Sequence, residues 1–255
     1  MNMPYQNDKP TPMNRHYLFY KHYFETYNNV NAVKAITEAS YGKYKADVNR
    51  PCVPDVPGHL PKGRFYKKEF SMEVKYPGLL IGLGYPHDFG DLYGEDSAKE
   101  AIKLGFSLDY VTGLPYIPGS SIKGVLRSAF KKGADCVKPI AKTADKTLRE
   151  LELEFFEGND VFLDSYPLSV ETSLLRLEAI TPHSMGPYDQ LAGLREPRPL
   201  KLLKVPSGVK FMFSFILSNG SINAEDKKDL FISIIEELGV GAKTNVGFGF
   251  LGRVR

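Results

Sequence analysis

The chain has 255 residues, 42% of them hydrophobic and 25% charged, with a formal net charge of +3. This is ordinary for a globular protein with a sizeable core, and the charge is too small to single out a nucleic-acid partner, since phosphate binding needs positive charge along one groove rather than overall. Cys52 and Cys136 lie far apart, outside any CxxC or Cys/His cluster, which argues against a disulfide framework or zinc site and fits a reducing cytosol.

No metal or other cofactor is expected. The polar N-terminus lacks the apolar stretch of a signal peptide, and no apolar run approaches the roughly 18 residues of a membrane helix. A soluble cytoplasmic protein with no membrane partner is therefore expected.

In chain order, residues 1–15 read as a loose tail, and Tyr17 to Ser40 as one or two helices. The stretch from Arg50 to Gly58 holds three prolines; each removes a backbone donor and restricts its predecessor, so an irregular arm is predicted. From Phe65 the pattern changes. Phe70, Met72, Val74 and Tyr76 alternate with Ser71, Glu73 and Lys75, which is strand periodicity. Leu79 to Ile81 is apolar on both faces and reads as a central strand, and Leu104, Phe106 and Leu108 alternate again.

A helix is predicted from Ser120 or Ser121 to about Lys131, and a second around Ala144 to Phe156. Strands follow at Val161 to Leu163, Leu174 to Ile180 and Val209 to Leu217, the last with Val209, Phe211, Phe213 and Phe215 on one face. A third helix spans Ala224 to Leu238, where Phe231, Ile234, Ile235 and Leu238 form one stripe. This interleaving predicts an α+β, ferredoxin-like (RRM-like) domain over 65–255 with insertions, preceded by an N-terminal extension over 1–64.

Two elements carry candidate chemistry. In the segment from Ile117 to Arg127, Pro118 and Gly119 make a turn, and Ser120 or Ser121 can cap the helix that follows. Lys123 and Arg127 share a face near its N-terminus, where free N–H groups and the helix dipole favour a phosphate. Gly119 and Gly124 have Walker A spacing, but Val125 and Leu126 stand where Lys and Ser/Thr are required, so ATP binding is disfavoured. By itself the element reads as an ordinary capped helix with two solvated cations.

The second element is the loop Gly239, Gly241, Lys243, Thr244, Asn245, Gly247 and Gly249, which presents Lys243 to Asn245 at its tip and places Gly247 and Gly249 at the start of the last strand. A Rossmann loop is rejected because a helix precedes and a strand follows. An RNP1 motif is rejected because a further helix and strand would have to follow. Alone, this loop reads as a tight turn.

Together the two elements resemble the RAMP superfamily of CRISPR-associated proteins, which carries an Ile-Pro-Gly-Ser-Ser-x-Lys-Gly-x-x-Arg helix start, matched at Ile117 to Arg127, and a terminal Gly-rich loop, matched at Gly239 to Gly249. Their separation of about 115 residues suits one ferredoxin-like unit with insertions. Within the superfamily, Gly82, Gly84, Thr112 to Tyr116, Phe162 to Asp164, Ile180 to His183, Pro197, Pro199, Leu202, Val205 and Gly208 resemble the sixth-subunit family of type III-B Cmr effector complexes. The resemblance covers Tyr76 to the C-terminus.

It implies a non-catalytic subunit that holds CRISPR RNA near its 3′ end, packs beside other Cmr-complex RAMP subunits and helps capture complementary target RNA. Base pairing would discriminate sequence, while Ser120, Ser121, Lys123, Arg127 and the 239–249 loop hold the backbone.

Some members of the superfamily cleave RNA. His183, on a turn after Thr181 and Pro182, is the best acid/base candidate, but it reads more readily as a loop-ordering or RNA-contacting residue. His16, His22, His59 and His87 have no evident partner, and Asp88 with Asp91 or Asp160 with Asp164 read as solvated loop acids. No catalytic residue is assigned. A metal-independent RNA-processing endoribonuclease and a pure assembly scaffold are the alternatives.

Overall fold

The structure is a computed structural model, and it describes residues 15–22, 64–84, 105–168, 174–180 and 200–254. It is an α+β chain with an antiparallel main sheet. The strand β1, Phe65–Val74, pairs along its whole length with β6, Lys210–Ser218, and at its end with the short β7, Leu251–Arg253. On the far side of β6 lie β2, Val161–Phe162, and β3, Tyr166–Pro167. The order across the sheet is β2-β6-β1-β7, with β3 also on β6.

Alternation along β1 and β6 decides which face is buried. Phe70 stacks on Phe213 and Phe215, and Met72, Val74, Phe211 and Leu217 are buried beside them. Against this face pack α1, Gly119–Lys132; α3, Leu148–Phe156; and α4, Ala224–Leu238, with the short α2, Lys138–Thr143, at the periphery. Phe231 of α4 is the hub. Its ring lies between 5.4 and 6.4 Å from those of Phe155, Phe156, Phe162 and Phe215. Phe130 of α1 meets Phe155 and Phe156 edge-on at 5.5 Å. The helical segments Arg15–Tyr17 and Leu18–His22 contribute Leu18 and Phe19 to the same core. His16 is not alone there: its ring contacts Tyr20 at 4.7 Å and Tyr110 at 5.1 Å.

A two-stranded ribbon of β4, Arg176–Ile180, and β5, Leu200–Lys204, stands apart from the main sheet. Its Leu202 joins Leu80 and Phe248 in a second, small cluster.

Several sequence expectations need correction. Leu79 to Ile81 is not a central strand; Leu79 makes only an isolated bridge to Val205, between Gly78 and Gly82 at positive φ. The segment is apolar on both sides because it separates two clusters: Leu79 and Ile81 face the main core and Leu80 the small one. Phe106 and Leu108 are buried, but so is Ser107, and only Leu108 makes a bridge, to Pro115. The second predicted helix begins at Leu148 rather than Ala144. Thr147 accepts from the Glu150 N–H while the Glu150 carboxylate accepts from the Thr147 N–H, a reciprocal cap that fixes the start. The irregular arm around residues 50–58 lies outside the described residues.

One polar element runs through the core. Lys227 of α4 and Asp160, just before β2, form an ion pair of 2.7 Å with both side chains fully buried. Asp160 also accepts from the Ser218 N–H and hydroxyl, each at 2.7 Å, and the Lys227 ammonium lies 4.8 Å from the Phe155 ring centre. Asp160 is therefore no solvated loop acid. It ties the end of β6 to α4 and to the entry of β2.

Candidate nucleic-acid interface

The start of α1 differs from the serine-capped turn predicted. Pro118 holds the N-cap position, and neither Ser120 nor Ser121 caps through its side chain; both lie exposed in the first turn. The first free donor, the Gly119 N–H, goes instead to the Asp164 carboxylate at 2.7 Å. Gly119 is needed there because a Cβ would lie 2.2 Å from the Phe162 carbonyl oxygen. The helix thus enters pressed against the end of β2, with an acid already on its positive pole. Asp164→Ala should lower the unfolding free energy by about 1 kcal/mol, a typical value for losing a capping acceptor, readable as a shift in the urea midpoint at unchanged slope.

Arg127 is also committed. Its guanidinium donates to Glu152 and Glu157, each at 2.7 Å, and Glu152 takes a further bond from Arg149 at 2.6 Å. The Arg127 and then Arg149 bonds hold the Glu152 carboxyl below the usual carboxylate range, and the same Glu152 and Glu157 contacts push the Arg127 guanidinium up. Lys123 is different. It is half-buried with its ammonium 5.6 Å from the Phe162 ring centre, and among the described residues it has no carboxylate partner. Of the two cations on this face, only Lys123 keeps an uncommitted charge.

The Gly-rich loop is a hydrogen-bonded turn. Gly239 terminates α4, and Thr244–Val246 forms a short helical turn that Gly247 closes; the last strand starts only at Leu251, not at Gly247 or Gly249. Gly239, Gly241, Gly247 and Gly249 all have positive φ, and so does Lys243 at 59°. The close approach is tightest at Gly249, where a Cβ would lie 1.9 Å from the Val240 carbonyl oxygen. The loop is fastened to the segment after β1 by Gly249 N–H to Gly78 O at 2.8 Å, Ala242 N–H to Leu80 O at 2.8 Å and Lys75 N–H to Phe250 O at 2.9 Å. Phe248 anchors it in the small cluster, while Lys243 and Asn245 are exposed. Lys243 has no carboxylate partner among the described residues.

The two elements sit on opposite edges of the sheet order β2-β6-β1-β7: α1 starts against β2, and the loop lies beside β7 and the end of β1. β1 runs from Phe65, opposite Ser218, to Val74, opposite Leu251. α4 returns from Ser218 to that second end, where the loop lies. The residue before the α1 turn, Ile117, bridges Ser165, whose hydroxyl donates to Met212 O; Met212 is opposite Ser71, near the same end. His183 lies outside the described residues; of the predicted set, the helix start sits at the β2 edge of the sheet and the loop at the β7 edge.

Sequence reasoning missed a charge signal here. Segments 74–84, 200–210 and 238–255 contain no Asp or Glu yet carry Lys75, Lys201, Lys204, Lys210, Lys243, Arg253 and Arg255. In the fold the three adjoin through Leu79 with Val205 and through the loop bonds above. The acids that reach them from elsewhere, Glu73, Glu178 and Glu236, pair with Lys75, Lys204 and Arg253. Dense positive charge at one end is invisible in a net charge of +3. Elsewhere, burial and then Glu237 push the Cys136 thiol up to about 12, which disfavours its thiolate. Among the described residues no cluster of His, Cys, Asp and Glu could hold a metal, and no helix is long and apolar enough to cross a membrane.

The Cmr6 subunit of the CRISPR system of Saccharolobus solfataricus is 30% identical over 145 residues, covering 56% of this chain and 46% of that protein. The Cmr6 subunit of Pyrococcus furiosus is 27% identical over 202 residues, covering 54% of this chain and 58% of that protein. The chain spans about half the length of these curated relatives. A chain in the cryo-EM structure of the type III-B Cmr-beta bound to cognate target RNA matches with a TM-score of 0.55 at 25% identity, over 75% of this chain and 60% of that one. The family model for the RAMP superfamily matches residues 71–252, from within β1 through β7. This chain, which resembles Cmr6 subunits, belongs to the RAMP superfamily.

Proposed function

We propose that this chain is a non-catalytic, RNA-binding backbone subunit of a cytoplasmic type III-B Cmr effector complex. It holds CRISPR RNA near its 3′ end, beside other RAMP subunits, and helps capture complementary target RNA in antiviral defence. The observation that carries this reading is that segments 74–84, 200–210 and 238–255, which adjoin in the fold, contribute seven cations and no carboxylate of their own in a RAMP chain. Phosphates are held by sequence-independent positive charge and backbone donors, and both are offered by the exposed Gly-rich loop. The succession β1, α1, β2, β6, α4, β7, with β1 and β6 central, supports reading the domain as ferredoxin-like. Within the predicted set, Lys123, Lys243 and the loop backbone carry the phosphate contacts. Arg127 supports them by organising α1 against Glu152 and Glu157, and Ser120 and Ser121 contribute exposed hydroxyls and N–H groups of the first turn.

The test is RNA binding by the full chain as a function of salt. Lys123→Ala and Lys243→Ala should each weaken single-stranded RNA across all sequences and reduce the slope of log affinity against log salt by about 0.7. Arg127→Ala should move thermal stability more than the slope. Slopes unchanged in both lysine variants would favour an assembly scaffold. Cleavage of repeat RNA without Mg²⁺, abolished by His183→Ala, would favour the processing nuclease.

A further inference from the structure

We infer that Tyr76 is a stacking platform for an unpaired nucleobase of the bound RNA, set beside the Gly-rich loop; this rests on the RNA-binding reading above. Tyr76 is 86% exposed, the most exposed of the large hydrophobic side chains described, although it lies only two residues past the buried Val74 at the end of β1. An exposed tyrosine on a loose loop would mean little, since scattered surface aromatics are common. The backbone that carries this one is fastened on both sides.

Its neighbours are fastened from three directions. The Pro77 carbonyl accepts from the Lys204 ammonium at 2.9 Å, and the Gly78 carbonyl accepts from the Gly249 N–H at 2.8 Å. The Lys75 N–H donates to Phe250 O, and Leu79 exchanges both backbone bonds with Val205 at 2.9 Å. Gly78 is closely enclosed, for a Cβ there would lie 2.5 Å from the Val205 carbonyl oxygen. The backbone on either side of Tyr76 is thus fixed while its ring remains in solvent, so stacking costs little ordering entropy.

The surroundings select the ligand. Pro77 lies against Gly247, whose Cβ would be 3.7 Å from the Pro77 Cδ, and the adjoining Val246 is 61% exposed. The Tyr76–Pro77 turn and the exposed Val246 thus lie on adjoining segments of the lysine-bearing end. A nucleotide offers both complements at once: a π-face for Tyr76 and a phosphate for Lys243. Stacking of this kind tolerates any base, so it adds affinity without competing with guide pairing for sequence discrimination.

The experiment is a cycle on the full chain, using Tyr76→Ala and Tyr76→Phe against two single-stranded RNAs of equal length, an oligouridine and its abasic-spacer counterpart. On oligouridine, Tyr76→Ala should weaken binding by about 5- to 150-fold with the salt slope and melting temperature unchanged, and Tyr76→Phe should bind as wild type. On the abasic strand, Tyr76→Ala and wild type should bind equally. An equal loss on both strands, or no loss on oligouridine while wild type binds it, overturns the stacking role and leaves the RNA-binding reading intact. Loss of co-purifying Cmr subunits with RNA affinity unchanged would make Tyr76 a protein contact and likewise overturn it. Failure of wild type to bind either strand overturns the RNA-binding reading itself.

Discussion

Asp160→Ala should lower the unfolding free energy by about 3–5 kcal/mol, the usual cost of leaving one charge of a buried pair without its partner. Lys227 would remain fully buried against Phe155 with no carboxylate at 2.7 Å, and the Ser218 N–H and hydroxyl would lose their acceptor. Replacing both partners by apolar residues of similar volume, Asp160→Leu with Lys227→Met, should recover most of the loss, because a buried ion pair is seldom much better than well-packed hydrocarbon. Urea denaturation of the two single variants and the double variant measures this coupling. Additive losses in the cycle would show that the pair is not energetically linked. Lys243→Ala, remote in role and exposed, serves as the control whose stability should not change.

Gly249→Ala should be the most damaging single change in the loop, with about 3 kcal/mol lost from left-handed strain and two compromised hydrogen bonds. The φ of 78° is already unfavourable for an L-residue, and the new Cβ would lie 1.9 Å from a carbonyl oxygen. That overlap is relieved only by moving Val240 or Gly249, and their mutual bond at 2.9 Å and the Gly249–Gly78 bond at 2.8 Å resist it. Since the same bonds position Lys243 and the Tyr76 segment, RNA affinity should fall along with thermal stability. Gly84→Ala is the comparison: a Cβ there meets nothing within 4 Å, so both quantities should stay near wild type.

Much of the fold was legible in the sequence wherever one physical rule acted alone. The α4 stripe of Phe231, Ile234 and Ile235 and the β6 alternation of Phe211, Phe213 and Phe215 each face a single core, so periodicity placed both elements closely. Leu79 to Ile81 misled because two clusters bury it from opposite sides, which mimics a central strand. The helix start at Leu148 was available in the Thr147 and Glu150 spacing, a local cap that apolar periodicity overlooks.

The candidate site was legible as two motifs but not as chemistry. No local reading shows that Asp164, 45 residues away, takes the Gly119 N–H, or that Glu152 and Glu157 reach back to Arg127. These are long-range pairings, and they changed the weight of the residues: Ser120 and Ser121 do not cap, Arg127 is neutralised, and Lys123 and Lys243 remain. In the sequence Tyr76 continues the alternation of Phe70, Met72 and Val74. Only the end of β1 at Val74 and the ring's exposure separate it from that pattern.

The pairing of β1 with β6 has a consequence for synthesis of the chain. Glu69 and Ser214 face one another across that ladder but are 145 residues apart in sequence. At about 5–20 residues per second, β1 emerges from the ribosome roughly 7–30 s before its main partner. During that interval Phe70, Met72 and Val74 have no β6 to pair with, while α1 and α3 can already form locally. Assembly of the sheet is thus set by the arrival of its penultimate strand, a high-contact-order step, and until then Lys67, Lys68, Glu69 and Glu73 keep the unpaired nascent strand charged and resistant to edge pairing.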